Sequence, residues 1–180
     1  METLSRPIRV CLIGPQSTGK TELARHLAEH YRAIWVPEFA RQYALANPRE
    51  LTAEDVEPIA RGQMAGENRA GEGAGAPLVI LDTDLISTVV YARHYYGECA
   101  DWIARAARAR SADLYLLMDV DTPWIDDQAR DSADQRNDLF ARFHLALQEF
   151  DASFHIIRGN WTERSRLAKD LIERVLRAES

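Results

Sequence analysis

The chain has 180 residues, 46% of them hydrophobic and 28% charged, which excludes a disordered or fibrous protein and leaves room for one core rather than two. A net charge of −6 provides no broad basic surface, so neither nucleic acid nor an anionic membrane is an expected partner. Cys11 and Cys99 stand outside any CxxC or Cys/His pattern, and no run approaches the roughly 18 apolar residues of a membrane helix; free thiols in the cytoplasm are the expectation.

Residues 8–13 form a short β-branched and apolar run ending at Gly14, which predicts a buried strand. Over 21–31 the apolar positions 23, 24, 27, 28 and 31 follow the spacing of a helix with one inward face. A second strand is predicted over 33–36, cut by Pro37, and a helix over 38–46 that stops before Asn47-Pro48. The Thr52-Ala-Glu-Asp55 start leads a helix to about Asn68, followed by a loop of small residues at 70–76. Residues 78–81 read as a central strand, 85–96 and 100–110 as helices, and 114–118 as a strand. The stretch 119–138 is polar, with seven aspartates beside Arg130 and Arg136, and reads as a lid segment; helix 139–149, strand 154–157 and helix 162–177 complete the chain.

Strands alternating with helices predict an α/β fold of three layers: a five-stranded parallel sheet with helices on both faces and right-handed crossovers, in a single domain over 1–180. Ligands bind such sheets at the carboxyl ends of the strands. There Gly14-Pro15-Gln16-Ser17-Thr18-Gly19-Lys20-Thr21 matches G-x-x-x-x-G-K-[ST], leaving a strand and entering a helix, as a P-loop requires. Its amides would cradle the phosphates of ATP, Lys20 would reach the β- and γ-phosphates, and the Thr21 hydroxyl would meet Mg²⁺. Lys20 is one of only two lysines beside twenty arginines, and it stands where a flexible point charge serves and a rigid guanidinium fork does not.

No Asn-Lys-x-Asp motif exists, which argues against a switch GTPase and for a kinase. Glu38 suits a general base for the acceptor hydroxyl, or else a carboxylate complementing a helix N-terminus. Arg41 positions substrate, orients Glu38, or serves the surface. Asp82 ends the central strand as a metal ligand, while Asp84 binds an acceptor ribose or caps the following helix. Arg130 and Arg136 would close over the phosphates, or pair with neighbouring aspartates. Asn160 and Trp161 contact adenine, or Asn160-Trp-Thr-Glu163 is a plain capping box. His26-Leu-Ala-Glu29-His30 fits an H-x-x-E-H zinc pattern, but both histidines lie off the Leu23, Leu27, Tyr31 face and point outward.

Taken with Glu38-Phe-Ala-Arg41-Gln-Tyr43, Leu81-Asp-Thr-Asp84 and Asp121-Thr-Pro-Trp124, the chain over about 8–177 resembles the ribosylnicotinamide kinase domain of bacterial NAD-biosynthesis regulators. The resemblance implies a thymidylate-kinase-like fold, ATP and Mg²⁺ as cofactors, and phosphorylation of the 5′-hydroxyl of nicotinamide riboside to nicotinamide mononucleotide. It carries phosphate and metal roles to Lys20 and Thr21, acceptor roles to Glu38 and Arg41, metal and ribose roles to Asp82 and Asp84, and lid roles to Trp124 and Arg130; Tyr43, Tyr91, Tyr95 and Trp124 would offer aromatic faces to the cationic pyridinium ring of that substrate. The P-loop begins at residue 14, so the adenylyltransferase and DNA-binding parts of those regulators are not inherited and a stand-alone kinase is the expectation. A deoxynucleoside or nucleoside monophosphate kinase, and a nucleotide-dependent regulatory ATPase module, remain the alternatives.

Overall fold

The computed structural model describes residues 6–72, 75–121 and 133–178. The strands β1 (Ile8–Ile13), β2 (Ile34–Val36), β3 (Leu78–Asp82), β4 (Leu114–Met118) and β5 (Phe154–Ile157) form one sheet of order β2-β3-β1-β4-β5. Every neighbouring pair is parallel. Helices α1 (Lys20–Tyr31), α2 (Phe39–Ala46), α3 (Val56–Gly71), α4 (Leu85–Tyr96), α5 (Asp101–Ala109), α6 (Ala133–Glu149) and α7 (Trp161–Ala178) make the crossovers, with one 3₁₀ turn at Ala53–Asp55. The α/β architecture is the expected one.

Alternation along the central strands divides the core in two. Val10, Leu12, Leu78, Ile80, Leu114 and Leu116 face α1 and α7. Cys11, Ile13, Val79, Leu81, Tyr115 and Leu117 face α3, α4, α5 and α6. All five residues of β3 and all five of β4 are buried, because a parallel sheet covered on both faces leaves its central strands no solvent side. With β1 between β3 and β4, the loop that leaves β1 and the carboxylate that ends β3 emerge side by side. Among the described residues no helix is long and apolar enough to cross a membrane.

Two boundaries differ with consequences. Helix α6 begins at Ala133, inside the segment expected to be lid, because the polar residues 133–138 occupy a helix rather than a loop. Arg136 is therefore carried by a helix and is buried there, at 4% exposure. Trp124 and Arg130 lie outside the described residues. Strand β3 extends one residue past the apolar run, and Asp82 is paired in the sheet opposite Leu12.

Candidate active site

Between β1 and α1 three residues have positive φ, Gly14 (138°), Ser17 (56°) and Gly19 (83°), the last taking the N-cap position of α1. Gly14 has a different constraint: a Cβ there would sit 2.9 Å from the Met118 carbonyl oxygen of the neighbouring strand. The loop carbonyls are held by side chains from around it. Thr18 Oγ1 and Lys20 Nζ donate to the Pro15 carbonyl at 2.9 and 2.7 Å, Arg164 to that of Thr18 at 2.9 Å, and Arg136 to that of Ser17 at 3.3 Å. Gln16 through Thr21 line a cleft of about 1120 Å³, while Gly14 and Pro15 are buried beneath it.

At the base of this loop the Thr21 hydroxyl donates to Asp82 Oδ2 at 2.6 Å. Asp82 is 1% exposed and its other oxygen, Oδ1, is buried with no hydrogen-bond partner. A carboxylate oxygen left bare beside a threonine hydroxyl is a hard-oxygen pair of the kind Mg²⁺ takes, directly or through water. The residues present thus fit the metal expected from the sequence.

Glu38 and Arg41 line the same cleft as Lys20. Burial lowers the Lys20 pKa from its usual value, and the Glu38 and Asp82 carboxylates oppose that shift. Burial likewise raises the Glu38 pKa, Lys20 pulling it down and Asp82 pushing it up. The cation and the candidate base therefore sense one another directly. Opposite them, α4 contributes Thr88, Tyr91, Tyr95 and Tyr96, with the Tyr91 and Tyr95 rings stacked at 5.9 Å. The segment that follows α2 closes the far side: Tyr96 donates its hydroxyl to the Leu51 carbonyl at 3.0 Å, and Arg49 forks onto Asp55 at 2.7 Å.

Other expected site residues are engaged elsewhere. Asp84 is 3% exposed, caps α4 by accepting from Ile86 N at 2.9 Å, and accepts the Tyr115 hydroxyl at 2.6 Å on its second oxygen. The helix-capping alternative is the one realised, and Asp84 does not line the cleft. Tyr43 turns its hydroxyl to Asp55 at 2.8 Å instead of lining the cleft. Asn160 and Glu163 form the reciprocal capping box of α7, at 2.8 and 3.0 Å, and the Trp161 ring meets His26 edge-on at 5.5 Å. That contact also occupies the first histidine of the H-x-x-E-H stretch, which is half-buried rather than outward.

Two residues at the site carry no motif. Arg164, 3% exposed, reaches from α7 to the carbonyls of Gly159, Thr18 and Asp119 and pairs with the Asp121 carboxylate. Gln63 is 3% exposed inside α3 and touches the cleft. Its signal was readable: Ala60, Gln63, Glu67 and Ala70 follow the spacing of an inward helical stripe, on which an amide and a carboxylate are out of place.

The family described as AAA domain (AAA_28) matches residues 9–164. This chain belongs to that family. Over 125 residues it is 26% identical to the trifunctional NAD biosynthesis/regulator protein NadR of Salmonella typhimurium, and equally to that of Escherichia coli, covering 67% of this chain and 30% of each relative. Among solved structures, NadR in complex with NR aligns with TM-score 0.80 at 26% identity, over 93% of this chain and 50% of that one. A thymidylate kinase from Ehrlichia chaffeensis shares the fold at TM-score 0.67 and 14% identity, over 93% of this chain and all of that one. The chain thus spans about a third of the curated relatives it matches. Its fold is that of the nucleoside-kinase-like P-loop proteins, and the resemblance to the ribosylnicotinamide kinase domain holds at the level of the whole sheet.

Proposed function

We propose that this chain is an ATP-dependent kinase that transfers the γ-phosphoryl group to the 5′-hydroxyl of nicotinamide riboside, giving nicotinamide mononucleotide and ADP. The observation that carries the reading is the meeting of Lys20 and Glu38 in one cleft, on a fold like that of NadR in complex with NR. The loop from Gln16 to Thr21 binds the phosphates, with Lys20 on the oxygens that gain charge as the bond to the leaving ADP breaks. Glu38 accepts the proton of the attacking hydroxyl; its burial-raised pKa suits a base that must take a proton and release it again. Arg41, at the rim of the cleft, orients the acceptor. Thr21 and Asp82 would hold Mg²⁺, which when bound neutralises charge on the β- and γ-phosphates.

Arg136 contributes a fixed positive charge behind Ser17, delivered by α6. Burial, and after it the neighbouring Arg164, lower its pKa from the usual arginine value. On the resemblance alone, Trp124 and Arg130 take lid roles. Tyr91 and Tyr95 line the cleft and offer aromatic surface to a cationic pyridinium such as that of nicotinamide riboside.

Incubation with ATP, Mg²⁺ and a panel of nucleosides and nucleoside monophosphates tests this reading. Formation of nicotinamide mononucleotide as the preferred product is expected. Preference for thymidine or a monophosphate replaces the substrate, and ATP hydrolysis that responds only to a macromolecule replaces the kinase by a regulatory ATPase.

A further inference from the structure

None of the eight residues of helix α2 is fully buried, and the helix packs against α3. Glu38 occupies the N-cap position of that helix, yet its side chain makes no capping hydrogen bond. The first helical N–H, that of Phe39, finds its acceptor instead in α3: Gln63 Oε1 at 3.1 Å. The same amide donates through Nε2 to the Thr83 carbonyl and to Glu67 Oε1, each at 3.3 Å. Phe39 follows Glu38 in the chain, and Thr83 follows Asp82. A single buried amide therefore links the chain neighbours of Glu38 and Asp82.

The adjacent residue completes the seat. A Cβ on Gly62 would fall 2.0 to 2.3 Å from three carbons of the Phe39 ring, so the ring occupies the space that the glycine leaves. Consecutive residues of α3 thus take the ring and the N–H of Phe39. From this geometry we propose that Gln63, with Gly62, is the positioning pair that holds Glu38 over the cleft, Gln63 capping α2 from outside so that the Glu38 carboxylate stays free for the acceptor. This rests on the kinase reading for the role of Glu38, and on the structure alone for the seating of Phe39. Neither residue touches the reacting atoms.

Gln63→Met keeps the length and removes all three bonds; Gly62→Ala evicts the ring; Gly62→Ala with Phe39→Leu restores room for a side chain. Amide hydrogen exchange at Phe39 reads the seat without any acceptor, and kcat against KM for ATP, with the nucleoside that wild type turns over best, reads its consequence. Loss of protection at Phe39 and a fall in kcat on the order of tenfold, with KM for ATP within about twofold, are expected for both single variants. The double variant should regain most of the Gly62→Ala loss. A Phe39 amide as exposed in wild type as in Gln63→Met overturns the proposal, as does lost protection with unchanged kcat, which is what a purely structural role gives. A wild type that prefers another nucleoside overturns the substrate assignment only, leaving the exchange result to stand by itself.

Discussion

Thr21 and Asp82 are 61 positions apart in sequence and 2.6 Å apart in space, hydroxyl to carboxylate, with the second carboxylate oxygen buried and bare. Strand order produces this contact: β1 lies directly beside β3, and each strand ends at the same level of the sheet. The pair offers the oxygen donors that the proposed Mg²⁺ would take.

Asp82→Asn keeps the shape and an acceptor for Thr21 but removes the charge. Turnover should fall by about 100-fold or more and the Mg²⁺ concentration for half-maximal activity should rise. A Mg²⁺ titration of both proteins checks this. An unchanged metal requirement would remove Asp82 from the metal.

Lys20→Ala should lower turnover by about 100- to 1000-fold, the scale of one lost charge-stabilising donor. Lys20 is only 8% exposed, yet the Pro15 carbonyl it serves also accepts from Thr18. The melting temperature should therefore stay within a few degrees of wild type, measured by thermal unfolding alongside the assay.

Glu38→Gln should reduce kcat by about 100-fold or more while nucleotide affinity stays level. In wild type the base must be ionised to work, so kcat should rise with pH through the Glu38 pKa, and burial places that limb above the ordinary glutamate value of 4.5. A pH profile of kcat in both proteins decides; an acid limb that survives in Glu38→Gln belongs to another group.

Asp84 makes a separate prediction about stability. Burial, with Glu67 adding to it, holds its pKa at about 6 against an ordinary 3.8, while the Tyr115 and Ile86 hydrogen bonds pull the other way. The folded protein binds this proton more tightly than the unfolded chain, so the group's stabilising contribution is complete below pH 3.8 and is lost as pH rises through about 6. Asp84→Asn keeps a cap oxygen for Ile86 and has no charge to bury. Its stability relative to wild type should climb between pH 4 and 7 by about 3 kcal/mol, the worth of two pKa units. Denaturant unfolding at several pH values measures the difference, in which carboxylates not coupled to Asp84 cancel; a flat difference would contradict the buried charge.

Legibility in the sequence followed locality. The strand-to-helix passage through Gly14 and Gly19, with Lys20 and Thr21 after it, is written in eight consecutive residues, and the structure places it as expected at the carboxyl end of β1. The capping boxes at Thr52 and Asn160 were equally local. Asp84 and Tyr43 were ambiguous because a carboxylate and a phenol serve ligand or scaffold alike, and the choice lay with Tyr115 and Asp55. Arg136 reads from the sequence as lid because a polar, aspartate-rich stretch carries no apolar stripe to announce the first turns of α6.

By itself, then, the sequence determined an α/β fold with a phosphate-binding loop after its first strand, since glycine placement and apolar periodicity act over a few residues. Only the tertiary structure decided that Asp82 meets Thr21, that Arg164 braces the loop from the last helix, and that Gln63 caps α2 from α3. Those contacts depend on which strands and helices lie side by side, and that is set by burying both faces of the sheet at once, a condition on the whole chain rather than on any stretch of it.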